Sequence, residues 1–261
     1  MYELTLLRHG ESVWNAENLF TGWTDVDLSE KGEVEAAAAG RTIRESGVEP
    51  MVVHTSVLTR SVRTANIALD SMERCWIPVR RHWRLNERHY GDLQGKHKVK
   101  SAEIYGAEQV KAWRRGYSTP PPPLDYSDPR HPVHDPRYQH VAPGALPSTE
   151  CLADVVQRML PYFYDSIVPD IYRYGSVLVV AHGNSLRAMV KQLENIDDRA
   201  IENLNIPTGI PRRYVLDEDM NVKSSTYLGD PEEIEAATEA VAAQATPGKA
   251  TGLIEKHDAT R

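Results

Sequence analysis

Cysteine is scarce: Cys75 and Cys151 are isolated in 261 residues, with no CxxC pair. They point to neither a metal site nor a disulfide framework, and they fit a reducing cytoplasm. Long apolar runs are also missing, since no stretch approaches the ~18 consecutive apolar residues of a membrane span. Met1 leads almost at once into a short apolar run, which leaves no room for a signal peptide, so a cytoplasmic location is expected. Basic residues are outnumbered, and the net charge of −7 argues against non-specific nucleic-acid binding. Against that acidic background any local cluster of Arg and Lys becomes informative. The chain has no Gly-Lys-Ser/Thr loop and none of the carboxylate clusters of metal-dependent phosphoryl transfer. What remains, 41% hydrophobic and 26% charged residues, is ordinary for a globular chain long enough for one large α/β domain or two small ones.

The stretch Leu4-Thr5-Leu6-Leu7-Arg8-His9-Gly10-Glu11-Ser12 organises the rest. Its apolar run is too short for a helix and too apolar for a loop, so it reads as a buried strand of a parallel sheet, with His9 at the carboxyl end. That edge is where open α/β sheets bind ligands, and Gly10 permits a sharp turn or a close approach. An isolated His-Gly would more simply be a core histidine ending a strand. The design recurs, however, in Ser176-Val177-Leu178-Val179-Val180-Ala181-His182-Gly183-Asn184. Two such strands in one parallel sheet bring both histidines to the same edge.

Between them the chain alternates strand and helix signals. Val13 to Trp23 has no clean period and reads as an ordered loop over the sheet edge. Ser29 caps an Ala-rich helix to about Glu45, with Gly47 as its stop. Met51 to His54 is a second buried strand, and Ser56 opens a helix to about Leu69 that carries Arg60, Arg63 and Asn66 at i, i+3 and i+6. Val79 to Trp83 is a third strand, ending in Leu85-Asn86-Glu87-Arg88-His89-Tyr90-Gly91, where Glu87 is a candidate acid or base unless it only pairs with Arg88. Residues 96–116 read as helical in two pieces, and 118–147 as a Pro-rich insertion packed on the sheet edge as a lid. His131, His134 and His140 lie in that insertion, but without a second ligand pair at fixed spacing they give no reason to expect a metal. Ser148 or Thr149 starts a long helix to about Tyr174, bent near Pro161 and Pro169. After the second His-Gly element come a helix over Ser185 to Leu193, a short one over Asp197 to Asn203, and an edge hairpin around Asp217-Glu218-Asp219. Residues 1–230 read as one catalytic domain and 231–261 as a helical stub followed by a mobile, Ala-rich tail.

If His9, His182, Glu87, Arg8, Arg60, Lys98, Arg114 and Arg115 converge, the pocket calls for an anionic substrate, and planar Arg forks suit phosphate or carboxylate. A neutral imidazole can attack phosphorus when its other nitrogen donates to a carbonyl. A second, protonated histidine, with Arg8 and Arg60, would stabilise charge on the transferring group, and Glu87 would protonate the departing oxygen. No metal is required by this scheme.

The segments LLRHGES, FTGWTDVDLSEKG, TSVLTRSVRT, NERHYGDLQGKHK, WRRGY, AHGNSLRA and LNIPTGIP, in this order, resemble the cofactor-dependent phosphoglycerate mutases of the histidine phosphatase superfamily. The resemblance runs from about Leu4 to Gly229. It implies a three-layer α/β/α fold around a mostly parallel sheet. It also implies interconversion of 2-phosphoglycerate and 3-phosphoglycerate, in glycolysis and gluconeogenesis, primed by 2,3-bisphosphoglycerate. By matching position His9 would be the phosphorylated nucleophile, Glu87 the proton donor and acceptor, and His182 the transition-state stabiliser. Substrate contacts would come from Arg8, Ser12, Asn15, Thr21, Gly22, Arg60, Glu87, Arg88, His89, Tyr90, Lys98, Arg114, Arg115, Gly183 and Asn184. The resemblance further implies a homo-oligomer, dimer or tetramer.

Three features depart from the pattern. Thr59 and Ser61 flank Arg60 where relatives often have Lys and Ala, Arg212 and Arg213 replace apolar residues, and the tail after Lys249 is longer than usual. The competing readings are a phosphatase of the same superfamily, which would pass the phosphate to water, and a non-enzymatic scaffold of the same fold. A mutase must contain its intermediate while it reorients, and Lys98, Arg114, Arg115 and the long insertion suit that.

Overall fold

A computed structural model describes residues 1–243 of the chain. Its strands are β1 (Tyr2–Arg8), β2 (Val52–Thr55), β3 (Val79–Arg81), β4 (Ser176–Ala181), β5 (Pro211–Leu216) and β6 (Val222–Tyr227). They form one six-stranded sheet in the order β3-β2-β4-β1-β5-β6. The first four run parallel, while β5 is antiparallel to both β1 and β6.

The central strands are largely apolar and buried because helices cover both faces. Side chains alternate across the pleat. Leu4, Leu6, Val52, Val177 and Val179 pack into one core with Leu152, Met159, Ile171 and Met189. Leu7, Val53, Leu178 and Val180 pack into the other with Ala39, Ile43, Ala65 and Leu69. The first layer carries α6 (Leu152–Tyr162), α7 (Val168–Tyr174) and α8 (Gly183–Glu194); the second carries α2 (Glu30–Glu45) and α3 (Thr59–Ser71). This is the expected three-layer α/β/α arrangement.

Local chemistry sets the boundaries. Ser29 Oγ accepts from Gly32 N and caps α2 as its sequence predicts. Gly10 and Gly32 let the turn after β1 meet α2 directly: a Cβ on Gly10 would lie 2.2 Å from Gly32 O, and one on Gly32 2.0 Å from Glu11 O. α3 starts at Thr59 without a cap of its own, and Asp25 supplies one from a distant loop, accepting from Thr59 N at 2.7 Å and Thr59 Oγ1 at 2.8 Å. Thr59 is thereby accounted for. Ser61 is too, since its hydroxyl lies 2.7 Å from Thr55 Oγ1 and donates to Val180 O.

Several boundaries differ from the sequence reading. Val13–Ala16 form one helical turn, α1, because Ser12 and Asn15 cap each other reciprocally. β3 ends at Arg81 rather than Trp83, since His82 Nδ1 accepts from Arg84 N and opens a 3₁₀ turn. The long helix begins at Leu152 rather than Ser148, and a wide π turn over Phe163–Ile167 separates α6 from α7, bracketed by Pro161 and Pro169. The stretch after α8 is a 3₁₀ turn over Ala200–Asn203, and β5 begins at Pro211. Arg212 and Arg213 do not leave it bare: they pair with Glu194 and Glu3, and β6 covers its outer edge. α9 (Pro231–Ala243) follows the sheet; the expected mobility of the tail concerns residues 244–261, outside the described residues.

Candidate active site

Register alone brings the two histidines together. Arg8 lies opposite Ala181, so the next residues of β1 and β4 are His9 and His182, and His9 N donates to Ala181 O at 3.0 Å. Their rings meet edge to face with centroids 4.9 Å apart. Both are buried, at 2% and 0% exposure.

A hydrogen bond then chooses the tautomer of His9. His9 Nδ1 lies 2.6 Å from Gly10 O, an atom that only accepts, so Nδ1 carries the proton and Nε2 is left with its lone pair. His182 Nε2 lies 2.7 Å from Ser56 Oγ, which already accepts from Leu58 N. With a second lone pair on Ser56 Oγ, the contact fits either direction: the hydroxyl donates to Nε2 and the proton of a neutral His182 sits on Nδ1, or Nε2–H donates to the hydroxyl. Among the described residues that Nδ1 has no hydrogen-bonding partner.

Around His9 opens a cleft with an empty volume of about 670 Å³ counted out to its mouth. Six cations line it, Arg8, Arg60, Lys98, Arg114, Arg115 and Arg187, against one carboxylate, Glu87. Arg60, in the first turn of α3, donates to Thr24 O and Gly22 O and so ties down the loop bearing Thr21 and Gly22. Lys98 opens α4 (Lys98–Tyr105), and its N–H donates to Asn18 O while Phe20 N donates to Lys96 O, zipping residues 18–20 to 96–98. Arg114 and Arg115 end α5 (Ala107–Arg115), where the helix dipole favours cations. Arg88 donates to Arg114 O and to Tyr90 OH, and Asn184 Nδ2 also donates to Tyr90 OH at 3.2 Å.

Glu87 is 8% exposed. One carboxylate oxygen accepts from Arg88 N at 2.7 Å and Asn184 N at 3.1 Å. The other faces the backbone of Gly183, where α8 begins.

Burial and mutual repulsion dominate the electrostatics. Burial, with Arg60 and Arg8 beside it, holds His9 well below the usual imidazole range, and His182 is depressed for the same reasons with His9 added. The direction of this shift runs against the protonated second histidine expected from sequence. Burial pushes Lys98 down to about 7, with Arg114 and Arg8 adding repulsion. Arg60 and Arg114 fall to about 10 and Arg187 to about 9, again mainly through burial. An anion in the cleft would relieve all of these at once.

Of the residues expected from sequence, Arg8, His9, Asn15, Thr21, Gly22, Arg60, Glu87, Tyr90, Lys98, Arg114, Arg115, Gly183 and Asn184 line the cleft. His182 lies beneath it against His9. Ser12, Arg88 and His89 do not line it: Ser12 caps α1, Arg88 braces the end of α5, and His89 is buried with its Nδ1 accepting from Gly91 N. The expected lid over 118–147 contributes no side chain to the cleft among the described residues; its Tyr138 packs on Trp23 at 4.9 Å and accepts from Asn86 Nδ2.

Sequence reasoning missed Arg187. It sits one turn after Asn184 on α8 and donates to Asn184 Oδ1 at 2.9 Å and Ile201 O at 2.6 Å, a helical spacing that could have flagged it. Leu19, Phe20, Ile206 and Val241 also line the cleft. Val241, on α9, had no signal at all.

Residues 4–131 match the histidine phosphatase superfamily (branch 1). The chain is 59% identical to a 2,3-bisphosphoglycerate-dependent phosphoglycerate mutase of Thermobifida fusca, covering 92% of this chain and 98% of the relative. It is 55% identical to one of Nitratidesulfovibrio vulgaris, covering 94% and 98%, and 57% identical to one of Streptomyces griseus, covering 92% and 95%. Among solved structures it resembles a mycobacterial glucosyl-3-phosphoglycerate phosphatase bound to VO3 (TM-score 0.66, 23% identity, 85% and 96% coverage). It also resembles the alpha-ribazole phosphatase of Shigella flexneri (TM-score 0.62, 20% identity, 87% and 96% coverage). Those distant structures speak to the fold alone. Taken with the close relatives, the chain belongs to the 2,3-bisphosphoglycerate-dependent phosphoglycerate mutases of the histidine phosphatase superfamily.

Proposed function

We propose that this protein interconverts 2-phosphoglycerate and 3-phosphoglycerate through a phosphohistidine at His9, primed by 2,3-bisphosphoglycerate, as the names of its relatives indicate. The observation that carries the reading is His9 itself: a buried imidazole, shifted toward its neutral form, whose Nδ1 is held by Gly10 O in the wall of a cleft lined by six basic side chains. Nε2 attacks phosphorus while Arg8 and Arg60 neutralise the equatorial oxygens. His182, edge to face against His9, stabilises charge on the same oxygens. Glu87 gives its proton to the departing oxygen and recovers it when the phosphoryl group returns to the other hydroxyl. Thr21, Gly22, Asn15 and Asn184 position the phosphate, and Lys98, Arg114, Arg115 and Tyr90 hold the carboxylate and second phosphate. Ser12, Arg88 and His89 shape these groups from behind.

Residues 1–230 act as one catalytic domain, in a homo-oligomer located in the cytoplasm, where its glycolytic substrates are. No helix among the described residues is long and apolar enough to cross a membrane.

A coupled assay tests this. Purified protein is expected to convert 3-phosphoglycerate to the 2-isomer, with stimulation by 2,3-bisphosphoglycerate and indifference to EDTA. Labelling with 2,3-bisphosphoglycerate should give an acid-labile, base-stable phosphoprotein that is absent in His9→Ala. Release of inorganic phosphate faster than isomerisation would make it a phosphatase instead, and absence of both activities would leave a scaffold.

A further inference from the structure

Resting on the reading of Glu87 as the proton carrier, we propose that the buried Arg158–Glu150 pair, which lies outside the cleft, is a positioning device that holds the Glu87 carboxyl in line with the departing oxygen. The pair is 8% and 3% exposed at its side chains. Arg158 Nε donates to Glu150 Oε1 at 2.5 Å and its Nη2 to Glu150 Oε2 at 3.0 Å. The guanidinium also reaches the loop that carries Glu87. Nη1 donates to Arg84 O at 2.7 Å, and Nη2, whose two hydrogens are shared among three acceptors, also reaches Asn86 O at 3.0 Å and Glu87 O at 2.9 Å. Glu150 grips the loop from its other end: Oε2 accepts from His89 N at 2.8 Å, and Glu150 N donates to His89 O at 2.9 Å.

Residues 84–89 are therefore lashed to a single ion pair, with Glu87 in the middle. Trp23 closes the arrangement, donating from Nε1 to the same Glu87 carbonyl at 2.5 Å while its ring lies 5.5 Å from the Arg158 guanidinium. Both lone pairs of that carbonyl are then used, which fixes the peptide plane from which the side chain departs. On the far side one carboxylate oxygen is held by Arg88 N and Asn184 N, leaving the other beside Gly183, which with Glu87 lines the cleft.

A buried ion pair is a poor way to stabilise a core, since apolar residues of similar volume often serve as well or better. A planar fork is, however, suited to reaching three carbonyls at set distances. That choice of residue is explained by the need to hold an acid in place.

The consequence is selective. When His9 is phosphorylated by 2,3-bisphosphoglycerate, the Nε2–P bond forms, the P–O bond to a secondary or primary alkoxide breaks, and the alkoxide takes a proton from Glu87. With acetyl phosphate the leaving group is acetate, which departs without that proton. Loosening Glu87 must therefore slow the first donor and spare the second, whereas general damage to the site slows both.

The test is single-turnover phosphorylation of His9 by each donor, followed by rapid quench. Arg158→Met is expected to slow the reaction with 2,3-bisphosphoglycerate by ~10–100-fold, a part of the usual general acid contribution, and that with acetyl phosphate by less than about 3-fold. Arg158→Lys, with one ammonium in place of the fork, should follow the same pattern rather than restore the rate. Trp23→Phe keeps the apolar bulk and removes only the indole N–H, so it serves even where Arg158 variants fail to fold; it should discriminate in the same direction, by ~3–10-fold. Equal slowing of both donors in Trp23→Phe and any folded Arg158 variant, or full rescue by Lys, overturns the proposal. Glu87→Gln is run in parallel. If it discriminates and the other variants do not, only the positioning role fails; if it too fails to discriminate, the reading of Glu87 falls and takes the proposal with it.

Discussion

At the scale of single residues the cleft is a set of groups held away from their ordinary charge states. Lys98 is the one whose shift crosses neutrality. At about 7, it is mostly deprotonated at pH 8. A bound anion restores the charge, so binding of 2,3-bisphosphoglycerate at pH 8 is expected to be accompanied by proton uptake. Titration calorimetry in two buffers of different ionisation heat measures this directly. Lys98→Met should abolish the uptake and weaken binding by ~10–100-fold, in keeping with a lost charge-assisted contact; uptake that persists in the variant would place the titrating group elsewhere. The linkage to stability has a definite sign. Lys98 binds a proton less readily folded than unfolded, so its contribution to stability rises with pH from about 7 toward the ordinary lysine value and is lost as the pH falls through 7.

Among the elements, α3 shows how a helix end is made to serve the site. Its first residues have no cap of their own, Asp25 reaches in from the loop after Gly22, and Arg60 one position later donates back to that loop. Asp25→Ala is expected to cost about 1 kcal/mol in urea unfolding, the usual value of a lost cap. Because the same loop carries Thr21 and Gly22, the variant should also bind inorganic phosphate more weakly. A stability loss with unchanged phosphate affinity would separate the cap from the site. Arg137 of the Pro-rich stretch pairs with Asp25 as well, so that insertion steadies the cleft at one remove.

For the whole molecule the balance is between an acidic protein and a basic cleft. The net charge is −7, yet six cations and one carboxylate converge on the site. Their repulsion is a cost of folding that a multivalent anion removes. Phosphate at 100 times its dissociation constant is expected to stabilise the fold by about 2.7 kcal/mol, visible as a rise of several degrees in the calorimetric midpoint. Sodium chloride at matched ionic strength should not reproduce it. A rise with both salts alike would mean general screening rather than site binding.

What the sequence by itself determined is local and repetitive: two apolar runs each ending in His-Gly, the Ser29 cap, the Arg60 turn, and the motifs that bear Glu87 and Lys98. Such features are legible because strand, turn and cap each rest on a few neighbouring residues. The tertiary structure alone decided which way His182 is shifted, since burial and the nearby guanidinium groups are long-range facts. It also placed Arg187, Val241, and Arg158 with Glu150, whose roles depend on which carbonyls or cavity walls they meet across the fold. Hydrogen-bonding partners far apart in the chain leave no periodic trace, and so only the packed molecule reveals them.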